Sequence, residues 1–389
     1  MIRFRWMSAI VATVLLAGCT PSIKQDKELV QTSEDAEVET TIIPNSQISG
    51  NYYKTLIPVK ESASRGLVVS NIYTKYDMKE VEKGLMRISQ NEFNTEDYYF
   101  QEGQYLSADT VSNWLARVNQ TADLKPELQG LNPSSLDANG NELDPAVKAV
   151  EAPIYLAHIV EQNYLTMTDD NKVKLAGVSI GLALNSIYYY QKEQYGEYYE
   201  QPIPEAELVK AGEEIAAEVL SRLRARSELA EVPIVIGLFK QEARNSIVPG
   251  TYFEYSVAKA GQNSLGDWVK MDETYVTFPM SSPEDIYRDM NTKFQNFQQE
   301  VDEYFSNFTS VIGTGFYQNK KLQNLEIEIP IQFYGTAEII GFTQYITDSM
   351  IKQLPKDIDI TVSITSVNGP EVLIKKERNN NEPFVHIYE

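Results

Sequence analysis

The 389-residue chain has little of the chemistry that disulfide-rich and metal-dependent proteins need. It contains one cysteine, Cys19, and two histidines, His158 and His386. A single cysteine excludes a disulfide within the chain and a cysteine-ligated metal cluster. Two isolated histidines exclude an HExxH zinc site and His-rich metal centres. We therefore expect no metal and no organic cofactor, and a fold that depends on its hydrophobic core for stability.

Positive charge is also scarce. The chain has 34 lysines and arginines against 55 aspartates and glutamates, a formal net charge of −21 at pH 7. Nucleic acids and anionic membrane surfaces select clusters of basic residues. The balance argues against a nucleic-acid partner and against a protein that lies flat on anionic lipid, and we interpret the excess negative charge as a source of solubility.

The N-terminus has the layout of a secretory signal peptide. Arg3 and Arg5 precede an apolar stretch over residues 7–16, which is about half the length that a membrane-spanning helix needs. Polar residues follow at once after Cys19. We therefore predict a signal peptide over residues 1–18, removed from the mature protein, and no permanent transmembrane anchor.

The small residues Ala17 and Gly18 stand directly before Cys19. This order is typical of a lipoprotein that is cut after Gly18 and carries a diacylglyceryl group on the Cys19 thiol. Two acyl chains hold a protein stably on a bilayer, whereas one chain is marginal. The prediction is a protein lipid-anchored at the outer face of the cell membrane, with the lipoprotein processing enzymes as partners. The alternative is an ordinary secretory signal that ends by chance in a cysteine.

Residues 19–49 contain no aromatic side chain and are rich in acidic residues. This composition predicts a flexible tether that lifts the folded part off the membrane. Aromatic residues become frequent from Tyr52 onward, so the folded part is expected to begin near residue 50.

Apolar residues recur at intervals of three and four in several segments, which predicts helices. One begins at a capping pair of Asp77 and Glu80, and another runs through residues 111–118. Longer helices are predicted over 204–226, 286–308 and 336–354. The apolar stripe of the segment 286–308 is interpreted as core packing, and it comprises Ile286, Met290, Phe294, Phe297, Val301, Phe305 and Phe308.

Alternating apolar residues predict strands over 178–190, 325–333 and 358–364, while 232–239 is apolar on both faces and is expected to be a central strand. In order, these elements give strand, helix, strand twice, each time followed by an edge strand. The predicted class is α+β, with two topologically related α/β repeats built on mixed or antiparallel sheets. We place the boundary at the Val248-Pro249-Gly250 segment, which gives domains over 50–248 and 249–389.

Three places in the sequence carry side chains that could support chemistry: His158, His386 and the loop 137–144. His158 is predicted to lie in a helix with a structural role, and His386 on the final strand facing solvent. The loop 137–144 offers oxygen ligands for Ca2+, but its glycine stands at the fourth place and Lys148 at the twelfth, so a polar turn is preferred to an EF-hand.

Two classes of function remain open. The first is a non-enzymatic module that binds a peptide, a glycan or another envelope protein. Its expected contact residues are tyrosines, among them Tyr188, Tyr189, Tyr190, Tyr198 and Tyr199. The second is an extracytoplasmic hydrolase that uses carboxylates alone on envelope glycan or peptide. A carboxylate pair that faces a cleft, with one pKa raised, would favour the hydrolase, whereas a flat aromatic groove would favour binding.

Several runs of sequence together resemble the CamS family of lipoproteins from Gram-positive bacteria. They are Leu-Ala-Gly-Cys at 16–19, Arg-Gly-Leu-Val at 65–68, Glu-Lys-Gly-Leu at 82–85, Phe-Gln-Glu-Gly-Gln-Tyr-Leu at 100–106, Ile-Gly-Leu-Ala-Leu-Asn-Ser at 180–186 and Val-Pro-Ile-Val-Ile-Gly at 232–237. The resemblance covers nearly the whole chain and includes no catalytic motif. It implies a precursor of a cAM373-type sex pheromone with two related repeats in its mature part.

The resemblance also implies a product of the signal peptide. In the family, the freed signal is trimmed to an apolar heptapeptide that plasmid-bearing enterococci sense before conjugation. The corresponding residues here are Ala12, Thr13, Val14, Leu15, Leu16, Ala17 and Gly18. Ala12, Leu16 and Ala17 match the family pattern Ala-Ile-Phe-Ile-Leu-Ala plus a small residue, and the other four positions depart from it. Because the third position holds valine instead of phenylalanine, the peptide lacks an aromatic anchor for a receptor pocket.

Overall fold

The computed structural model describes residues 28–31, 39–44, 48–50, 52–67, 72–169, 172–304, 311–332 and 335–388. Cys19 and the predicted pheromone segment 12–18 lie outside these ranges, so their roles stay predictions. Phe305 and Phe308 of the predicted helix stripe lie outside them as well. Within the described ranges, none of the helices combines the length and the apolar character that crossing a membrane requires.

Six α-helices and seventeen strands make up the described chain. The helices are α1 (Lys75–Ser89), α2 (Ala108–Leu115), α3 (Pro145–Glu151), α4 (Glu205–Arg224), α5 (Asp285–Tyr304) and α6 (Thr336–Gln353). The strands of the first half are β1 (Glu28–Gln31), β2 (Glu39–Ile42), β3 (Lys54–Thr55), β4 (Tyr99–Glu102), β5 (Leu156–Met167), β6 (Val173–Asn185), β7 (Ile187–Gln191), β8 (Tyr198–Pro202), β9 (Ile234–Gln241), β10 (Thr251–Ala258) and β11 (Val269–Lys270). Those of the second half are β12 (Glu273–Phe278), β13 (Ile312–Gln318), β14 (Lys321–Pro330), β15 (Asp359–Ser366), β16 (Gly369–Lys376) and β17 (Phe384–Ile387).

The first sheet has seven strands in the order β11-β10-β9-β6-β5-β4-β3. Strand β6 runs parallel to β9, with α4 as the crossover helix, and the pairs β5–β6 and β9–β10 are antiparallel. Ile236 and Leu238 of β9 pack in the core under α4, while Val235 and Phe239 pack in the core under α1. Helices therefore cover both faces of this sheet, which explains why β9 is apolar throughout, and its predicted central position is confirmed.

The second sheet has six strands in the order β12-β13-β14-β15-β16-β17. Helices α5 and α6 share one core with the buried residues Leu325, Ile327 and Ile329 of β14. The intervening Glu326 and Glu328 are exposed on the opposite face. This sheet is thus covered by helices on one face only, and the strict alternation in β14 follows from that.

The two sheets repeat one topology, which confirms the predicted α+β class with two related repeats. In each, an antiparallel strand pair leads into a parallel strand–helix–strand unit and then into an antiparallel neighbour. The strand order β5-β6-β9-β10 of the first sheet corresponds to β13-β14-β15-β16 of the second. Both sheets are mixed, as expected.

Several boundaries differ from the sequence prediction. Strand β10 pairs with β9, so the first sheet continues past the proposed boundary at 248, and the sheets change over between Lys270 and Glu273. The helix predicted from the Asp77 and Glu80 pair begins one turn or so earlier, because the Thr74 side chain accepts a hydrogen bond from the Asp77 backbone N–H at 3.0 Å. The helix through Val111 ends at Leu115, and the predicted strand 178–190 is divided at Ser186 into β6 and β7.

Part of the span 19–49, which the sequence predicts to be a flexible tether, forms β-strands. Strands β1 and β2 pair antiparallel, and Ile42 forms a bridge with Ile57. Ile43 joins a small buried cluster with Leu56 and Leu165. The remainder of the span lies outside the described residues, and its flexibility stays a prediction.

Candidate binding sites

The tyrosines singled out in the sequence form a separate two-stranded sheet, β7 and β8, in which Tyr190 pairs with Tyr199. On one face the rings of Tyr188 and Tyr190 lie 6.2 Å apart at an interplanar angle of 7°. The Tyr190 and Tyr199 rings lie 5.6 Å apart at 30°, and the Lys192 ammonium lies 4.3 Å from the Tyr199 ring centre. Alternation along a strand places these three rings side by side.

The other face of the hairpin is fixed by Arg244. Its guanidinium carbon lies 4.1 Å from the Tyr189 ring centre, 4.8 Å from that of Tyr73 and 5.3 Å from that of Tyr198. The Arg244 backbone N–H also donates to the Tyr189 hydroxyl at 3.1 Å. This face is therefore anchored to the protein body. On the opposite face Tyr188 and Tyr190 line an open hollow of about 410 Å³ with Lys148 and Gln191, and Arg117 donates to the Tyr188 hydroxyl at 3.3 Å.

A second concavity lies between the two sheets, and we call it the inter-repeat cleft. It has a volume of about 510 Å³, and buried residues 158–162 of β5 form its floor. Its walls come from α1, β4, the segment 62–65 and the exposed face of β14. Its lining includes Arg65, Lys79, Glu82, Lys83, Met86, Phe100, Glu102, His158, Val160, Glu161 and Glu326.

Two of the carboxylates in the cleft are already satisfied by the protein. Glu161 accepts hydrogen bonds from the backbone N–H groups of Gln104, Tyr105 and Leu106 at 2.7 to 3.2 Å. Burial raises the pKa of Glu161, and these three bonds act against that shift. Glu102 accepts from the Ser62 backbone N–H at 2.9 Å and pairs with Arg65 at 3.3 Å.

Glu82 and His158 lack such partners. Within the described part of the chain, the Glu82 carboxylate makes no hydrogen bond and no ion pair. The surrounding protein displaces water from it and, together with the charge of Glu102, raises its pKa, although Arg65 opposes the shift. His158 is 2% exposed, its Nδ1 has no hydrogen-bond partner, and burial lowers its pKa to about 4. The imidazole is neutral at pH 7.

The sites predicted from the sequence have different outcomes. His386 is on β17 and exposed, as predicted, whereas His158 lies on strand β5 and the predicted helix there is wrong. In the loop 137–144, Asp137 Oδ1 accepts from the backbone N–H groups of Asn139 and Asn141 at 2.8 and 2.9 Å, which is the geometry of a polar turn. Among the residues that the structure describes, no three His, Cys, Asp or Glu side chains are grouped so that they could hold a metal.

The inter-repeat cleft was not predicted. One feature of the sequence pointed to it. Glu161 directly follows the largely apolar run 154–160, and a carboxylate inside a buried strand needs fixed partners. The partners themselves, backbone N–H groups more than fifty residues earlier in the chain, have no sequence signature.

Comparison with known proteins gives a consistent result. The family model described as "CamS sex pheromone cAM373 precursor" matches residues 59–382. A crystal structure of a sex pheromone precursor from Lactobacillus salivarius subsp. salivarius UCC118 is 32% identical, with a TM-score of 0.80, over 90% of this chain and 99% of that one. The structure of the C-terminal domain of the sex pheromone staph-cAM373 precursor from Staphylococcus aureus is also 32% identical, with a TM-score of 0.70, over 82% of this chain and 98% of that one. The search of curated proteins gives no match.

Proposed function

Because the chain belongs to the CamS sex pheromone precursor family, we propose that it is a lipoprotein held at the outer face of the cell membrane and that its processing gives two functional products. The first is the heptapeptide of residues 12–18, released from the signal peptide. The second is the mature protein, anchored through Cys19 and acting as a non-enzymatic binding module. Family membership over residues 59–382 is the observation that carries the precursor role.

The lipid anchor is tested by Cys19→Ala. Without the thiol there is no thioether to form, so the variant is expected in the medium, uncut and free of lipid. Labelling with a fatty-acid analogue and fractionation of cells measure both effects. Ser22→Ala is the matched control and is expected to stay processed and membrane-bound. Retention of Cys19→Ala at the membrane would refute the anchor.

The pheromone role is tested with the synthetic peptide Ala-Thr-Val-Leu-Leu-Ala-Gly on plasmid-bearing responder cells, scored for clumping and plasmid transfer. A matched peptide with phenylalanine at the place of Val14 restores the aromatic residue of the family pattern. We expect both peptides to act, and the phenylalanine peptide at roughly tenfold lower concentration, since a buried aromatic anchor dominates peptide affinity. If neither peptide causes clumping or plasmid transfer, the pheromone role is refuted.

The hairpin face of Tyr188, Tyr190 and Tyr199 supports the binding role. Sugar rings pack their C–H faces on aromatic rings, and three neighbouring tyrosines beside Lys192 offer such a surface. We propose envelope glycan as the ligand class. The solubilised lipoprotein with Tyr190→Ala or Tyr199→Ala is expected to bind purified Gram-positive peptidoglycan about fivefold more weakly than the unaltered protein.

Tyr388→Ala is the control for the hairpin variants, because Tyr388 is 40% exposed on another part of the surface. Equal loss of binding in all three variants would contradict a specific hairpin site. If the protein binds peptide fragments of the cell wall but not purified glycan strands, the ligand is a peptide and not a glycan.

One observation favours the alternative of a carboxylate-dependent hydrolase: Glu82 and Glu102 share a cleft, and the pKa of Glu82 is raised. Glu102, however, is held by the Ser62 N–H and Arg65, and an acid–base pair needs two carboxylates that are available to substrate. Release of soluble fragments from peptidoglycan, abolished by Glu82→Gln, would establish the enzyme.

A further inference from the structure

Strand β17 lies at an open edge of the second sheet. Within the described part of the chain it pairs with β16 alone, in a register that places Leu373 opposite His386 and has no shift along its length. Soluble proteins usually protect such an edge with charged side chains, prolines or bulges, because an open edge can pair with another chain. The run 384–388 contains no lysine, arginine, acidic residue or proline. This edge is therefore open to a further strand.

The hydrogen bonds to β16 show which backbone groups of β17 face outward. The Tyr388 N–H donates to the Glu371 carbonyl at 2.9 Å, so these two residues form a hydrogen-bonded pair of the antiparallel ladder. Such pairs alternate along a strand, and the backbone groups of the residues between them point to the other side. The N–H and C=O groups of Val385 and Ile387 therefore point toward the free edge.

The same run exposes apolar side chains. Phe384 is 61% exposed and Val385 is 39% exposed. The rings of Phe384, His386 and Tyr388 form a row on one face of the strand: the His386 ring lies 6.5 Å from the Phe384 ring at an interplanar angle of 4° and 4.7 Å from the Tyr388 ring at 86°. Apolar surface of this kind gains about 25 cal/mol for each Å² that a partner removes from water.

The order of side chains in the run is the same in both directions: aromatic, branched aliphatic, histidine, branched aliphatic, aromatic. If two copies pair antiparallel about His386, Phe384 of one copy lies opposite Tyr388 of the other, and Val385 lies opposite Ile387. This register also matches each outward N–H with an outward C=O, which gives about four backbone hydrogen bonds. A two-fold interface requires such a self-complementary surface.

We propose that β17 is a dimerisation strand, which pairs antiparallel with β17 of a second copy of this chain about a two-fold axis at His386. The second sheets of the two copies then form one continuous sheet. Because the paired run is short, the dimer is weak and reversible. The tyrosine hairpin and the inter-repeat cleft take no part in this pairing, so the proposal does not depend on the ligand of either.

Cysteine cross-linking of the full-length chain in whole cultures, cells and medium together, tests this register. In the dimer, residue 386 lies opposite its own copy in a non-hydrogen-bonded pair, where Cα atoms are about 4.5 Å apart and a disulfide can form. Mild oxidation should convert His386→Cys into a reducible dimer about tenfold more than Val367→Cys, a control at an 82% exposed position between β15 and β16. The unaltered protein, whose only thiol is that of Cys19, gives the background.

Two further variants distinguish strand pairing from chance collision. Val385→Cys would lie opposite Ile387 of the other copy, with its own counterpart displaced by two residues, so it should cross-link no more than Val367→Cys. Val385→Pro, added to His386→Cys, removes an N–H that points away from β16, and proline is tolerated at such edge positions. It should lower cross-linking about tenfold while the protein stays folded, which thermal unfolding checks.

Cross-linking of His386→Cys at the level of Val367→Cys would overturn the proposal. Equal cross-linking of His386→Cys and Val385→Cys would also overturn it, as would cross-linking that the added Val385→Pro change leaves as strong as before. Mass spectrometry of the dimer is expected to show the peptide that contains residue 386 joined to its own copy. A link to Cys19 in its place would contradict the two-fold pairing.

Discussion

Arg87 on α1 binds Glu273 on β12 through two hydrogen bonds, Nε to Oε1 at 3.0 Å and Nη2 to Oε2 at 2.7 Å. The Arg87 guanidinium also bonds to Glu80 at 2.8 Å and lies 4.7 Å from the Phe316 ring centre. Burial alone would lower the pKa of Arg87, but the hydrogen bonds and charges of Glu273 and Glu80 outweigh it and raise the pKa. This bidentate pair joins the helix between the sheets to the first strand of the second repeat.

Arg87→Met is expected to lower the free energy of unfolding by about 3–5 kcal/mol, because the Glu273 carboxylate, whose side chain is 0% exposed, loses its cationic partner and keeps the neutral Gln318 amide as a donor. Urea unfolding followed by circular dichroism measures the change. Lys293→Met breaks an exposed pair with Asp289 and should cost less than about 1 kcal/mol. Equal effects of the two variants would mean that the Arg87 pair does not join the repeats.

The burial of Asp77 leads to a pH dependence of stability that is opposite in sign to that of most carboxylates. It is fully buried, and burial raises its pKa from 3.8 to about 6, although the N–H of Gly250 and the hydroxyl of Thr74 donate to the carboxylate and oppose the shift. The nearby charge of Glu242 adds to the rise. Between pH 4 and 6 the folded protein binds more protons at this site than the unfolded chain, so its contribution to stability increases as the pH falls.

Asp77→Asn should remove that gain. The rise of the pKa from 3.8 to about 6 corresponds to about 3 kcal/mol, so the stability of the variant relative to the unaltered protein should decrease by about this amount as the pH falls from 7 to 4. Urea unfolding at four pH values measures it. Parallel pH profiles of the two proteins would show that Asp77 is ionised in the fold at pH 5.

His158 acts in the opposite direction. Because burial lowers its pKa from 6.5 to about 4, the unfolded chain binds more protons at this site between those values, and stability is lost as the pH falls through 6.5. His158→Leu should recover about 3 kcal/mol relative to the unaltered protein between pH 7 and pH 4. The two effects act in opposite directions, so the two variants are expected to change the slope of the stability profile of the unaltered protein in opposite senses. Identical slopes of His158→Leu and the unaltered protein would contradict a neutral buried imidazole.

Glu161→Gln should destabilise the protein by about 1–3 kcal/mol, since the amide nitrogen cannot accept the backbone N–H groups that the carboxylate holds at residues 104–106. Gly103→Ala should have a similar effect, because its Cβ would lie 2.7 Å from Cγ of Glu161 and push the carboxylate away. Chemical unfolding measures both, and Gly50→Ala is the control, where an added Cβ meets nothing within 4 Å. A stable Gly103→Ala variant would show that the segment 104–106 can move away from Glu161.

Periodicity predicted the elements whose apolar patterns are long. The helices at 205–224 and 336–353 and the alternating strand β14 agree with prediction to within a few residues, because each buries one face against a single core. His158 shows where this fails. Strand β5 is buried on both faces along most of its length, so its residues have no alternation, and a short apolar run of that kind reads equally well as a helix.

The sequence by itself determined the duplicated strand–helix–strand order and the lack of intrachain disulfides. It also carries the pattern that predicts an N-terminal signal peptide. These features depend only on local pattern and on residue counts. Only the tertiary structure decided that the first sheet extends past residue 248 through β10 to β11, that Arg87 meets Glu273, and that Lys83 and Glu82 line one cleft with His158. Such contacts join segments far apart in the chain, and their geometry is fixed by how the two sheets pack around α1.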